Sequence, residues 1–234
     1  AAWLDEIAPH WLTFVVGTVD GPRERRVMFE GALDVDFIPL PVEALSTAAA
    51  LTADVRDIIR RGFRVILDKD GHLSRLVDDL PSVDPSLATE QSPDETTFLN
   101  TVHDFWYHTI WSAKKLRRGE LWTANGCINR YLKWQCLLPM IGWHAHAGHG
   151  GEVDTWMRGR FLERWADPRI VAVLPDTFGR GHAEDLWRAL FETMSLFRWV
   201  AVETAKAFSF SYPAESEACV IAWVKSCFEE RTTL

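Results

Sequence analysis

The 234-residue sequence has no Cys-x-x-C pair, no excess of basic side chains and no apolar run long enough to cross a bilayer. Its four cysteines, Cys127, Cys136, Cys219 and Cys227, sit in apolar, helix-like surroundings. Without the close spacing of a zinc ribbon or redox motif they read as buried, reduced thiols. Lys and Arg number 25 against 33 Asp and Glu, a formal charge of −8. A general nucleic-acid binder gains affinity by neutralising phosphates with Lys and Arg, so this balance argues against nucleic acid and suits a cationic small ligand. With neither a spanning run nor a signal-peptide pattern, no membrane partner is expected and the cytoplasm is the expected compartment. Internal repeats and low-complexity tracts are missing too.

What is present is enough apolar material, 47% of residues, for one large domain or two small ones. The 12 Trp are many. Indoles fill cores and also stack on bases and sugars, so their number alone selects no function.

Residues 11–16 (WLTFVV) read as a strand, broken by Asp20-Gly21-Pro22. Arg25 to Glu30 and Leu33 to Leu40 read as two more strands around a Gly31-Ala32 turn, a hairpin over 25–40 that Pro39 and Pro41 end. From Pro41 the period changes. Val42, Leu45, Leu51, Val55, Ile58 and Ile59 fit a helical stripe that stops at Gly62. FRVILDKDG (63–71) reads as a strand running into an Asp-Gly turn, and the Pro-, Ser- and acid-rich residues that follow read as linker, centred on 81–93. Beyond Asp94, Phe98, Val102, Phe105, Trp106, Thr109, Ala113 and Leu116 recur at three and four. Further helices are expected over about 119–143, 154–165, 182–208 and 214–230. The chain is thus expected to hold an α/β domain (1–80), a linker (81–93) and a helical bundle (94–234).

The chemistry begins in RRVMFEGALDVDFIPLP (25–41). Asp34 and Asp36 are two apart on a strand and share a face. Like charges that close raise each other's pKa unless a cation lies between them, and a hard ion such as Mg²⁺ takes carboxylate oxygens. A solvated edge face that discourages aggregation would carry the same pair.

That stretch resembles the later catalytic hairpin of the aminoglycoside 6-adenylyltransferases, the streptomycin adenylyltransferase family of the nucleotidyltransferase superfamily. The similarity runs from about residue 27 to 228. It includes VILDKDG, FLNTVHDFWYHTIWSAKKLRRGELWTA, LLPMIGW, RGRFLERWADP and MSLFRWVAVETAKAFSFSYP. It implies an α+β fold: a partial nucleotidyltransferase-type mixed β-sheet with helices, followed by a C-terminal helical bundle. It implies AMP transfer from ATP to a hydroxyl of an aminoglycoside such as streptomycin, the antibiotic-resistance type of reaction. Asp36 matches the hairpin carboxylate that completes a three-carboxylate Mg²⁺ site and serves as base or metal ligand; Asp34 is outside the pattern. Lys114, Arg118 and Arg160 are the implied nucleotide-binding cations. Asp104, Glu120 and Glu203, with Trp106 or Trp122 as a platform, would receive the cationic acceptor. The family opens with a Gly-Ser turn and an Asp-x-Asp pair that this sequence does not show, so the 1–80 domain is expected to lack its N-terminal segment.

Plainer readings stand beside these. KKLRR is a charge run of the kind that is solvated, Glu120 complements a helix dipole, and Glu203 pairs one turn away. Two other functions also stay open. One is an inactive relative that only binds nucleotide or a small cationic ligand. The other is a zinc protein using WHAHAGHGGE, with His144, His146, His149 and Glu152.

Overall fold

Three runs near the start of the chain pair into an antiparallel meander, as their β-branched and aromatic content predicts. The computed structural model describes residues 2–17, 23–45, 58–59, 61–79, 92–149 and 153–230. The chain divides into two compact units, Ala1–Pro85 and Ser86–Leu234.

In the first unit, β1 (His10–Val16), β2 (Glu24–Phe29) and β3 (Leu33–Phe37) lie in the order β1-β2-β3. The β2–β3 register sets Arg26 opposite Asp36, Val27 opposite Val35 and Met28 opposite Asp34. Gly31, at φ 78°, makes the tight turn between them. One sheet face buries Val27 and Phe29 against Leu4, with Ala8, Val35 and Phe37 around them. Trp3 meets Phe37 edge to face, ring centroids 5.0 Å apart. The other face carries Asp34 and Asp36.

The expected hairpin is therefore present, with β3 ending at Phe37. Of the expected helix after Pro41, a 3₁₀ turn at Val42–Leu45 and helical backbone at 58–59 are described; the stretch between lies outside the described residues. Residues 63–71 form no strand. No described strand pairs with them, and Ile66 and Leu67 are exposed. Asp68 instead caps α1 (His72–Asp79), accepting from the Ser74 backbone N–H at 2.9 Å and its hydroxyl at 2.7 Å. That helix occupies residues whose composition reads as linker.

In the second unit, α2 (Glu95–Arg117) starts where Asp94 accepts the Thr97 N–H at 2.7 Å. Its whole predicted stripe is buried. The chain turns at Gly119 into α3 (Leu121–Gly126), then widens into a π-helix over Cys127–Leu137 and returns to α4 (Leu138–Gly148). The Leu138 N–H reaches back five residues to the Lys133 carbonyl. Pro139 gives the reason: it supplies no N–H, and in a regular helix its ring would press on the carbonyl four residues earlier.

The expected helix over 154–165 is absent except for α5 (Leu162–Trp165). Met157, Arg158, Gly159 and Phe161 all take positive φ, which no right-handed helix permits. Then come α6 (Pro168–Val173), α7 (Ala183–Phe208) and α8 (Ala214–Glu230). The short α6 was not anticipated; Asp167 caps it, accepting from the Arg169 N–H at 2.8 Å.

The core of this unit is aromatic. Phe105 of α2 stacks on Phe197 of α7 at 3.6 Å, nearly parallel. Trp187 packs against Phe228 of α8. Burying each such ring contributes roughly 1.5–3 kcal/mol. All four cysteines are free, but only Cys127, Cys136 and Cys227 are buried; Cys219 is exposed on α8. Among the described residues no helix is long and apolar enough to cross a membrane.

Candidate functional site

Asp36 stands on the outer face of β3 with 44% of its side chain exposed. Its cross-strand partner is Arg26, whose Nε lies 3.7 Å from Oδ1. Arg26 is held more tightly by Glu24, which raises the guanidinium pKa first; Asp36 and Asp34 add to the rise. The charged face is therefore Glu24, Arg26, Asp34 and Asp36, the strand alternation that the sequence predicted. Asp34 and Asp36 offer the hard carboxylate oxygens that Mg²⁺ takes. Among the described residues no group of three His, Cys, Asp or Glu side chains is arranged to hold a metal.

In the helical unit, the implied site residues lie in separate local pairs. Glu120 accepts from Lys115 Nζ and Arg118 Nε, each at 2.6 Å, and these bonds, Lys115 first, hold its carboxyl below the usual range. Arg118 is thus committed to Glu120. Lys114 is exposed, with Nζ 5.7 Å from the Trp223 ring centroid. The Arg160 guanidinium lies over Phe161 at 4.8 Å. Glu203 pairs with His144 Nε2 at 2.9 Å and with Arg169 at 3.6 Å; the His144 bond is the main cause of its lowered pKa.

Trp106 does not fit the platform role. It is 3% exposed, wedged against Phe105 and Phe197, with its indole N–H donating to the Tyr212 hydroxyl at 3.3 Å. Its place in the α2 stripe puts both ring faces into the core. Trp122, 89% exposed on α3, does present an open ring.

Asp104 is the centre of a polar cluster that sequence reasoning missed. His108 Nδ1 lies 2.7 Å from Oδ1, and the Tyr131 hydroxyl donates at 3.1 Å. The Cys136 thiol is 3.5 Å away. Burial first, and then the bond to Asp104, push the Tyr131 phenol up to about 12; burial likewise pushes the Cys136 thiol up. An i,i+4 Asp–His pair is visible in sequence once α2 is drawn, but Tyr131 and Cys136 join it only through the π-helix.

The three histidines of the proposed zinc loop go three ways. His144 binds Glu203, His146 Nε2 meets Thr155 Oγ1 at 3.0 Å, and His149 meets the Ala145 carbonyl. Glu152 lies outside the described residues. A shared zinc site would need these imidazoles to converge, and the described ones do not.

Two of the cavities that open on the π-helix share Arg130 and Trp134. One, of about 810 Å³, lies between Arg130 and Trp134 of the π-helix, Trp143 of α4 and the turn at Arg158. The other, of about 450 Å³, is walled by His108, Trp111, Tyr131 and again Arg130 and Trp134.

Residues 19–227 match the family described as streptomycin adenylyltransferase. The chain belongs to that family. Its curated relatives include the aminoglycoside 6-adenylyltransferases of Campylobacter jejuni, 23% identical over 211 residues, and of Bacillus subtilis, 23% identical over 208. These alignments take in 82% and 89% of this chain but 70% and 65% of the relatives. The crystal structure of an aminoglycoside 6-adenyltransferase from Bacillus subtilis superposes with a TM-score of 0.55 at 17% identity, covering 97% of this chain and 81% of that one. That likeness establishes the fold, α+β with a small sheet and a helical unit. The streptomycin adenylyltransferase family match extends across both units of the chain.

Proposed function

We propose that the protein transfers AMP from ATP to a hydroxyl of an aminoglycoside such as streptomycin. The observation that carries this reading is the family match over 19–227. Asp36 supports it, since the hairpin that bears it holds a solvent-facing carboxylate. In the reaction the acceptor hydroxyl oxygen bonds to the α-phosphorus, the bond from that phosphorus to the bridging oxygen breaks, and pyrophosphate leaves. Asp36 would take the hydroxyl proton; Arg26, its cross-strand partner and already held by Glu24, would orient that carboxylate. Mg²⁺ suits the oxygen donors of Asp36, and when bound it would supply charge neutralisation for the phosphates. Lys114 and Arg160, exposed and without carboxylate partners among the described residues, are available to the leaving group; Asp104 and Glu203, already bonded to His108 and His144 but partly exposed, are the carboxylates that would meet a cationic acceptor. The reaction draws on cytoplasmic ATP.

The test is a panel of aminoglycosides with labelled ATP, with and without Mg²⁺. Streptomycin or a related acceptor is expected to take up label. Asp36→Asn is expected to lower kcat by about a hundredfold or more, the usual worth of a general base, without moving the melting temperature. ATP binding with no transfer to any acceptor would identify a binding protein instead. A fully active Asn variant would remove Asp36 from the chemistry.

A further inference from the structure

Lys133 is an amine that the transfer reaction leaves unused. It is buried in the π-helix and lines a further cavity of the helical unit, of about 360 Å³. The deep wall of that cavity is aliphatic, with Leu137 and Ile141 both buried. Its outer wall is aromatic and charged, with Trp134, Phe178, Arg158 and Glu163 all exposed. A small flat apolar molecule suits a space of this volume and lining, and its inner end would meet the buried amine.

Hydrogen bonds hold that amine in one orientation. Nζ donates to the Ile128 carbonyl at 3.1 Å and to Thr193 Oγ1 at 2.6 Å. The Thr193 oxygen is free to accept, because its own hydrogen goes to the Ala189 carbonyl at 2.6 Å. A neutral amine has two hydrogens, so both are bonded and the lone pair is left over. The Phe178 ring centre, in the cavity wall, lies 5.2 Å from Nζ.

Burial favours the neutral form, bringing the pKa down to about 7 against a weaker opposing effect of Cys127 on the same helix. No carboxylate pairs with Nζ among the described residues: Glu163 and Arg158 stand at the exposed side, and Arg188 of α7 is bonded to Asp185. At pH 7 about half of the Lys133 amine is therefore neutral, against roughly one in a few thousand for an exposed lysine of pKa about 10.4. A desolvated, neutral lysine in an apolar cavity is a nucleophile for carbonyl carbon.

We propose that this cavity takes a small aromatic aldehyde and that Lys133 holds it as an imine. The Nζ lone pair bonds to the carbonyl carbon while the second C–O bond pair moves to oxygen. The remaining C–O bond then breaks, both amine hydrogens leave with the oxygen as water, and nothing is oxidised or reduced. The step uses no nucleotide, so it is tested apart from AMP transfer.

The test treats the full chain with benzaldehyde and cyanoborohydride, which reduces an imine to a stable benzylamine, and reads each lysine by peptide mass spectrometry. At pH 7 Lys133 is expected to be labelled about tenfold or more faster than Lys69, Lys114, Lys115, Lys206 and Lys225. That ratio is expected to fall as pH rises towards 10, where the exposed amines also become neutral. Benzyl alcohol, which has the ring but no carbonyl, is expected to slow labelling of Lys133 and spare the others. Lys133→Met is expected to lose this label alone. Labelling of Lys133 no faster than the other lysines would overturn the proposal, since the amine would then be closed to the cavity. Fast labelling that saturating benzyl alcohol leaves unchanged would overturn it too, since the ring would then have no seat there.

Discussion

Lys133 carries a cost that nothing around it offsets with charge. It is 5% exposed, and its Nζ donates to the Ile128 carbonyl at 3.1 Å and the Thr193 hydroxyl at 2.6 Å, with no carboxylate pairing with it among the described residues. Burial pulls its pKa down from 10.5 to about 7. Between those values the unfolded chain binds a proton that the folded chain does not. Stability from this group therefore rises as pH climbs from about 7 towards 10.5, and the full desolvation cost is felt below 7. Lys133→Met is expected to melt several degrees above wild type at pH 6, with the gap closing by pH 10. Melting curves at pH 6, 8 and 10 check this; a gap independent of pH would mean the amine is hydrated. In sequence Lys133 is one lysine in NRYLKWQCLL with nothing to set it apart, because the π-register that buries it is set by Pro139 and tertiary packing. Asp36 was legible because strand alternation is a local rule. The platform reading of Trp106 went the other way: its membership of the α2 stripe already assigned it to the core.

The long helices are held by signals that sequence displays, and the cap of α2 is the simplest to test. Removing the Asp94 side chain frees the Thr97 N–H, so Asp94→Ala is expected to cost about 1 kcal/mol and lower the melting temperature by roughly 2–4 °C. Asp94→Ser is expected to recover most of that. The left-handed turn offers a second test. Gly159→Ala places a Cβ both in a positive-φ residue and 3.1 Å from Leu138, an expected loss of about 1–2 kcal/mol. A melting curve beside wild type measures that loss. These elements mark where sequence reasoning reached its limit. The stripes of α2, α7 and α8 repeat over several turns, so periodicity found them. The segment 154–165 has helical composition, but four residues at positive φ override it. The apolar run at 63–71 has strand composition, yet a strand exists only with a partner to share its hydrogen bonds, and none is described. The short helices α1 and α6 depend on single caps, Asp68 and Asp167, too local to register in a periodicity window.

At the scale of the whole molecule, the sum of charges and their placement favour the two proposed substrates in different ways. A net charge of −8 was legible from composition. The arginine-lined, carboxylate-free cavity was not, since single arginines at 130 and 158 look like any solvated side chain until the chain folds. The overall field attracts a polycationic aminoglycoside from a distance and repels ATP, while single cations such as Lys114 and Arg160 would attract ATP only at close range. Salt screens the first effect most: the Debye length shrinks from about 30 Å at 0.01 M to about 8 Å at 0.15 M. For an aminoglycoside, screening removes an attraction. For ATP it removes a local attraction and a general repulsion together, and the two changes partly cancel. The dissociation constant of streptomycin is therefore expected to rise more steeply with added NaCl than that of ATP, measured by calorimetry on the same protein across that range. A steeper dependence for ATP would mean that local pairing outweighs the general field, and equal slopes would mean that net charge steers neither ligand.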